Sequence, residues 1–233
     1  IGVKLALSDH RAPNVSNLEL QRVASDARVA GMLSGKAGIV VLHMGDGKKG
    51  LQPVREILEE TEIPMKTIRP THVNRREELL EEAFDYAKAG GKIDLTCGIK
   101  DHFTPGKCIK RALSEDVPSE NITISSDGYG SWSKYDEAGN LVKMGVSSVS
   151  SLHKEFKDMV QNLEFSVEDA LPYVTSNVAK GLEVYPRKGC IEENSDADIL
   201  LLDENLDIDT VIANGRVMIE NKEILVYGSY EQM

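Results

Sequence analysis

Four side chains in this sequence stand where a parallel β/α protein carries out its chemistry. Lys4 follows the apolar opening Ile1-Gly2-Val3. His43 follows Ile39-Val40-Val41-Leu42, His72 follows a stretch ending at Thr71, and Asp127 follows Asn121–Ser126. Each comes directly after apolar or small residues, so each is expected to be buried or nearly so. Lys and Asp are rarely buried without partners. Two imidazoles and a carboxylate on one face form a plausible ligand set for a divalent metal. A lone His after a strand is more often a satisfied core or loop residue. Two of them at the same topological level as an Asp shift the balance toward a site. An ammonium cannot ligate a metal. Lys4 is therefore either a surface lysine near the chain's first residues or a lysine that has reacted with CO₂. The resulting carbamate offers two anionic oxygens that can bridge two cations, and it forms only from the neutral amine, which burial favours.

The elements that would position these groups alternate. Ile1–Leu7 reads as a strand, and Leu18, Val23, Ala27, Ala30 and Leu33 recur at helical spacing between Ser16 and Leu33. Ile39–Leu42 reads as a second strand, followed by the glycine-rich loop Met44–Gly50 and a helix on Leu51, Val54 and Leu58. Lys66–Thr71 is a third strand that Pro70 is expected to end. Arg76–Lys88 is an amphipathic helix closed by Gly90-Gly91, and Lys92–Cys97 is a fourth strand. Lys107–Leu113 is helical, Asn121–Ser126 a fifth strand, and two helical stretches lie around Ser148–Leu163 and Val167–Leu182. This β-α alternation signals a parallel sheet with helical crossovers, either doubly wound or a (β/α) barrel, with chemistry at the carboxyl ends of the strands. After Leu182 the texture changes to short β runs between turn residues, such as Ile199–Leu202 and Thr210–Ile219. The expected division is 1–183 for the β/α part and 184–233 for a small β segment.

Composition narrows the function. With 27 Lys+Arg against 38 Asp+Glu, the net charge of −11 argues against nucleic acid or an anionic membrane surface as partner. The longest aliphatic runs are four residues, too short for a membrane span. Cys97, Cys108 and Cys190 fit no zinc spacing and read as buried thiols in a reducing, cytoplasmic compartment. The sequence opens on Ile1 without a Met or a signal peptide, which reads as a cut inside a longer protein.

Four blocks carry a resemblance. Lys4 with Ser8-Asp9-His10-Arg11, then His43-Met44-Gly45-Asp46, then Thr71-His72-Val73-Asn74-Arg75, then Ser125-Ser126-Asp127-Gly128-Tyr129-Gly130-Ser131, together with Gly189-x-Ile191, Asp196-Ala197-Asp198 and Gly215, resemble the amidohydrolase superfamily. Within it they are most similar to the isoaspartyl dipeptidases (β-aspartyl peptidases). The resemblance implies a (β/α)8 TIM barrel of the metal-dependent type, of which only about the last five β/α units are present, with a small C-terminal β appendage. It implies that Lys4 is the carboxylated lysine bridging two Zn²⁺ ions, that His43 and His72 bind one of them, and that Asp127 binds the other and serves as catalytic base and then acid. Arg11, Arg75 and Ser131 match contacts to the carboxylates of a small dipeptide substrate. The family's His-x-His pair on the first strand is absent, as are an upstream glutamate and tyrosine, so the site is incomplete in this chain alone.

The activity implied is hydrolysis of the β-aspartyl bond by a hydroxide activated between two zinc ions. The substrate could instead be a cyclic amide, as for dihydroorotase-like members, or an N-acyl amino acid. A catalytically silent scaffold relative is the remaining reading, against which the four retained groups speak. An oligomer of identical chains is the expected state, with the N-terminal portion of the same protein accompanying this chain. Gly45–Gly50 lacks the Gly-Lys-Ser/Thr ending of a phosphate loop and reads as an active-site loop. Glu77, Glu78, Glu81 and Glu82 read as a solvated helix face, and His102 and His153 as solvent-facing.

Overall fold

The computed structural model describes residues 2–9, 15–136 and 138–228. Five parallel strands form one sheet in sequential order: β1 (Gly2–Leu7), β2 (Ile39–Met44), β3 (Ile68–Thr71), β4 (Ile93–Thr96) and β5 (Ile122–Ser125). Helices α1 (Asn17–Ser34), α2 (Gln52–Glu60), α3 (Glu77–Lys88) and α4 (Pro105–Ser114) make the crossovers. Sequential order with every crossover helical is the arrangement of an arc of a (β/α) barrel.

Alternation along each strand sorts the two faces. Val40, Leu42, Met44, Ile68, Ile93, Leu95, Ile122 and Ile124 are buried and join the core with Leu20, Ala24, Val54, Ile57, Leu80, Phe84 and Ile109 from the helices. The other face is polar. Register aligns Ala6, His43, Thr71, Asp94 and Thr123 in one row across all five strands. The next positions bring Lys4 opposite Val41 and Thr96 opposite Ser125.

Local chemistry explains the helix limits. Ser16 caps α1 through a capping box with Glu19, and Gly35 ends it in the left-handed region at φ 63°. Glu82 is not a solvated residue, as its neighbourhood suggested: it accepts from the Leu51 amide at 2.8 Å and from Arg55 at 3.1 Å, so it caps the start of α2. Glu77 and Glu81 likewise pair with Arg111 of α4.

Four further expectations are corrected. Lys4 lies in the middle of β1 and not at its end, and His43 lies inside β2. Pro70 sits within β3 rather than ending it. It has no N–H to give a neighbour, and only Thr71 and Asp94 are paired along the β3–β4 seam. The stretch 167–182 is not one helix. It divides into α6 (Val167–Ala170), a 3-10 turn containing Pro172, and α7 (Ser176–Gly181), behind the continuous helix α5 (Ser151–Asn162). The hairpin of β6 (Ser131–Tyr135) and β7 (Leu141–Val146) follows directly on the Asp127 loop and is absent from the β/α reading.

The last four strands, β8 (Ile199–Leu202), β9 (Ile208–Ala213), β10 (Arg216–Glu220) and β11 (Glu223–Ile224), form an antiparallel sheet. It is anchored on α5, where His153 Nε2 lies 2.7 Å from Leu206 O and Gln161 donates to Asn205 O. His153 is thus an anchor and not a solvent-facing side chain.

The polar face depends on Asp94. Its carboxylate accepts from Thr71 Oγ1 at 2.6 Å, Thr123 Oγ1 at 2.8 Å and Ser125 Oγ at 2.5 Å, joining β3, β4 and β5. Burial pushes its pKa up from the ordinary carboxylate value, opposed by those hydroxyls and by Arg69. Asp94→Ala is expected to lower the unfolding free energy by about 3 kcal/mol, measured by denaturant titration. The sign of the pH effect follows from the raised pKa: the native state favours the protonated acid, so Asp94 contributes stability that is lost as pH rises from the ordinary carboxylate range through its raised folded value. Asp94→Asn is expected to remove that part of the pH dependence, read as a flatter plot of thermal midpoint against pH.

Candidate active site

The carboxyl ends of β2, β3 and β5 bring their polar residues together, and β1 adds a long side chain from below. Lys4 Nζ lies 3.2 Å from Asp127 Oδ1. His72 Nε2 faces the same oxygen at 4.0 Å. The His43 and His72 rings are 4.3 Å apart, edge to face at 67°. The amine, both imidazoles and the carboxyl named from the sequence therefore meet on one patch of the polar face. They do not share one environment. His72 is buried, Asp127 and His43 are half-buried, and the Lys4 side chain is 53% exposed, contrary to the burial expected of it. Among the described residues β1 pairs only with β2.

Two of the four sit on unusual backbone. His72 has φ 64° and Asp127 φ 48°, both in the left-handed region that residues with a Cβ seldom adopt. Such outliers persist where surrounding structure over-determines them and concentrate at functional sites. At Asp127 the turn is closed by the Gly130 amide donating to Asp127 O at 2.8 Å.

Neighbours fix the rings. His43 Nε2 is 3.2 Å from Asp9 Oδ2 and 3.4 Å from Arg75 Nη2. Asp9 is buried, and the glycine-rich loop holds it there. The amides of Gly45 and Gly47 donate to Leu7 O and Ser8 O, and a Cβ on Gly45 would stand 2.4 Å from Asp9 Cα. The loop read from sequence as part of the site thus acts by letting two backbones touch. On the other side, His72 Nδ1 is 2.6 Å from Thr96 Oγ1. Asp9 and Thr96 are contacts that sequence reasoning did not single out. Asp9 lay in a quoted block without a role, and Thr96 had no signal beyond closing a strand.

The substrate-contact residues are placed unevenly. Arg75 is half-buried beside His43. Ser131 opens β6, exposed, opposite Val146. Arg11, with His10, lies outside the described residues.

The donor types suit zinc: imidazole nitrogens and a carboxylate, with one imidazole oriented by a hydroxyl on its other nitrogen. Among the described residues no three His, Cys, Asp or Glu side chains converge as a metal cage by themselves. The fourth member of this cluster is Lys4, which as an amine donates to Asp127 and becomes a ligand only as a carbamate.

Residues 107–218 match the model of the amidohydrolase family. The β-aspartyl dipeptidase of the thermophilic, keratin-degrading Fervidobacterium islandicum AW-1, solved with β-Asp-Leu dipeptide, is 37% identical with a TM-score of 0.90, covering 98% of this chain and 61% of its own. A second structure of that organism's enzyme gives 35% and 0.86, covering 98% and 59%. An adenosine deaminase from Xanthomonas campestris with bound zinc shares the fold at 13% identity and a TM-score of 0.56, covering 93% and 52%. The chain spans about three fifths of the length of the two dipeptidase structures.

An exposed ion pair such as Lys4–Asp127 contributes little to folding. Lys4→Met is expected to change the unfolding free energy by less than about 1 kcal/mol. A calorimetric comparison of parent and variant tests this, and a larger loss would give Lys4 a structural purpose.

Proposed function

The chain carries an amidohydrolase-family domain, and from that premise we propose that the whole protein hydrolyses the β-aspartyl bond of isoaspartyl dipeptides in the cytoplasm. The observation that supports this most directly is the meeting of four groups: Lys4 hydrogen-bonds Asp127, His72 Nε2 lies 4.0 Å from the same carboxylate oxygen, and the His43 and His72 rings are in edge-to-face contact. A protein 37% identical over 98% of this chain was solved with β-Asp-Leu, and its substrate class is carried here as part of the reading.

In this reading Lys4 is carboxylated, and with His43, His72 and Asp127 it holds two zinc ions. The ions, when bound, lower the pKa of a water toward neutrality and polarise the scissile carbonyl. The residues of this chain do the rest. Asp127 accepts the proton of the attacking water on its carboxylate and returns it to the leaving amine, so one group serves as base and then acid. Its Oδ1 already faces both the Lys4 amine and His72 Nε2. Arg75 offers a planar fork suited to a carboxylate, and Arg11 a second one. Two such forks match a substrate with two carboxylates, which an isoaspartyl dipeptide has and a cyclic amide lacks. Ser131 adds a hydroxyl at the mouth of the loop.

The test is a substrate screen on the intact protein. β-Asp-Leu is expected to be turned over, with activity lost on removing the metal with a chelator and regained with zinc. Turnover of cyclic amides or N-acyl amino acids without β-Asp-Leu would overturn the substrate. An intact protein that retains no divalent metal would point to the silent relative. Asp127→Asn is expected to lower kcat on β-Asp-Leu by about 10²- to 10⁴-fold, measured in steady state, since it removes the proton acceptor.

A further inference from the structure

We propose that Thr96, held in place by Asn74, is the positioning residue for the His72 imidazole. The proposal rests on the reading of His72 as a site residue and adds how its ring is aimed. Thr96 closes β4, and Asn74 lies two residues past His72 in the turn after β3. Thr96, His72 and Asn74 are all buried.

The ring is held along one line. Nδ1 of His72 is 2.6 Å from Thr96 Oγ1, while Nε2 faces Asp127 Oδ1 at 4.0 Å. A hydroxyl held on one nitrogen fixes the ring plane, and whether it accepts or donates there decides what the other nitrogen presents. When His72 Nδ1 carries the proton it donates to Thr96 Oγ1, and the lone pair on Nε2 points to the Asp127 side.

Thr96 itself cannot drift. Its amide donates to Asn74 Oδ1 at 2.8 Å, and its carbonyl accepts from Asn74 Nδ2 at 3.0 Å. The same Nδ2 donates to Phe103 O at 2.8 Å, tying in the loop after β4. One side-chain amide thereby pairs with the backbone of β4 as a neighbouring strand would. It does so beyond the single Thr71–Asp94 pair, where the ladder has run out. Threonine is also stiff at χ1, so a fixed backbone gives a fixed hydroxyl.

The Asn74 clamp uses only the backbone of Thr96, and the His72 contact uses only its hydroxyl. Thr96→Val therefore removes the contact and leaves the clamp, and Thr96→Ser keeps both. In the intact, metal-stripped protein, zinc affinity is read by competition with a chromogenic chelator, and the His72 ring by ¹⁵N-resolved imidazole spectra. Thr96→Val is expected to weaken zinc binding about 10- to 100-fold and to shift or broaden the His72 ring signals. Thr96→Ser is expected to match the parent in both, with the thermal midpoints of all three close together. His72→Ala sets the floor for zinc binding. If the parent binds no zinc, or His72→Ala binds it as tightly as the parent, the metal reading of the site fails, and the imidazole spectra alone decide the role of Thr96. A Thr96→Val protein with parental ring signals overturns the positioning role, as does one whose zinc affinity is parental while His72→Ala is impaired.

Discussion

The seam between β3 and β4 is the constraint on which the site depends. A proline in the strand leaves β3 one donor short, and Thr71–Asp94 is the one backbone pair that joins the two strands. Side chains complete the seam. Asp94 takes a hydroxyl from Thr71 on one strand and from Thr123 and Ser125 on the next, and Asn74 grips both backbone groups of Thr96. A polar interior face is therefore not an accident of function alone. Buried hydroxyls and amides supply the hydrogen bonds that the ladder lacks, and each must be satisfied because a buried polar group without a partner is costly.

The same sheet has to serve two solvents. Its helix side is packed with aliphatic residues that are fully buried, and the hydrophobic effect there supplies the stability that fixes strand positions. Its other side carries Arg69, Asp94 and the threonines, and at its carboxyl end the ionisable cluster. Arg69 is buried and donates to Gly181 O, its pKa lowered by burial against the opposing pull of Asp94. Division of labour between faces allows His72 and Asp127 to adopt left-handed backbone: the packing beneath tolerates the cost at the two positions where direction matters most.

The cluster is graded in exposure, from buried His72 to open Lys4. That gradient suits different tasks. The imidazole must be held, and Thr96 and the turn do so. The amine hydrogen-bonds the Asp127 carboxylate. Asp127 stands between His72 and Lys4, 4.0 Å from the imidazole and hydrogen-bonded to the amine. In a closed barrel the far side of such a site is lined by other strands, and the dipeptidase structures that this chain matches are longer than it is by a substantial share.

Much was legible in the sequence. The 3.6-residue spacing on Leu79, Leu80, Ala83, Phe84 and Ala87 marked α3, the Gly90-Gly91 stop ended it, and five short stretches alternating with the helices marked the five strands, because burial on one face writes a local period into the chain. The four blocks that carry the family resemblance were likewise readable, since each is contiguous. What local spacing could not encode was pairing across distance. That Lys4 sits mid-strand yet reaches Asp127, 123 residues on, follows from β1 facing the same way as the other strands and from the length of a lysine. That Asp9 meets His43 depends on two glycines letting backbones touch, and that Thr96 meets His72 depends on an asparagine standing in for a strand. The sequence by itself determined the order of elements and the chemical types at their ends. Only the tertiary structure decided which of those groups touch and how far each is withdrawn from water, because contacts between strands are set by register and packing rather than by neighbours in the chain.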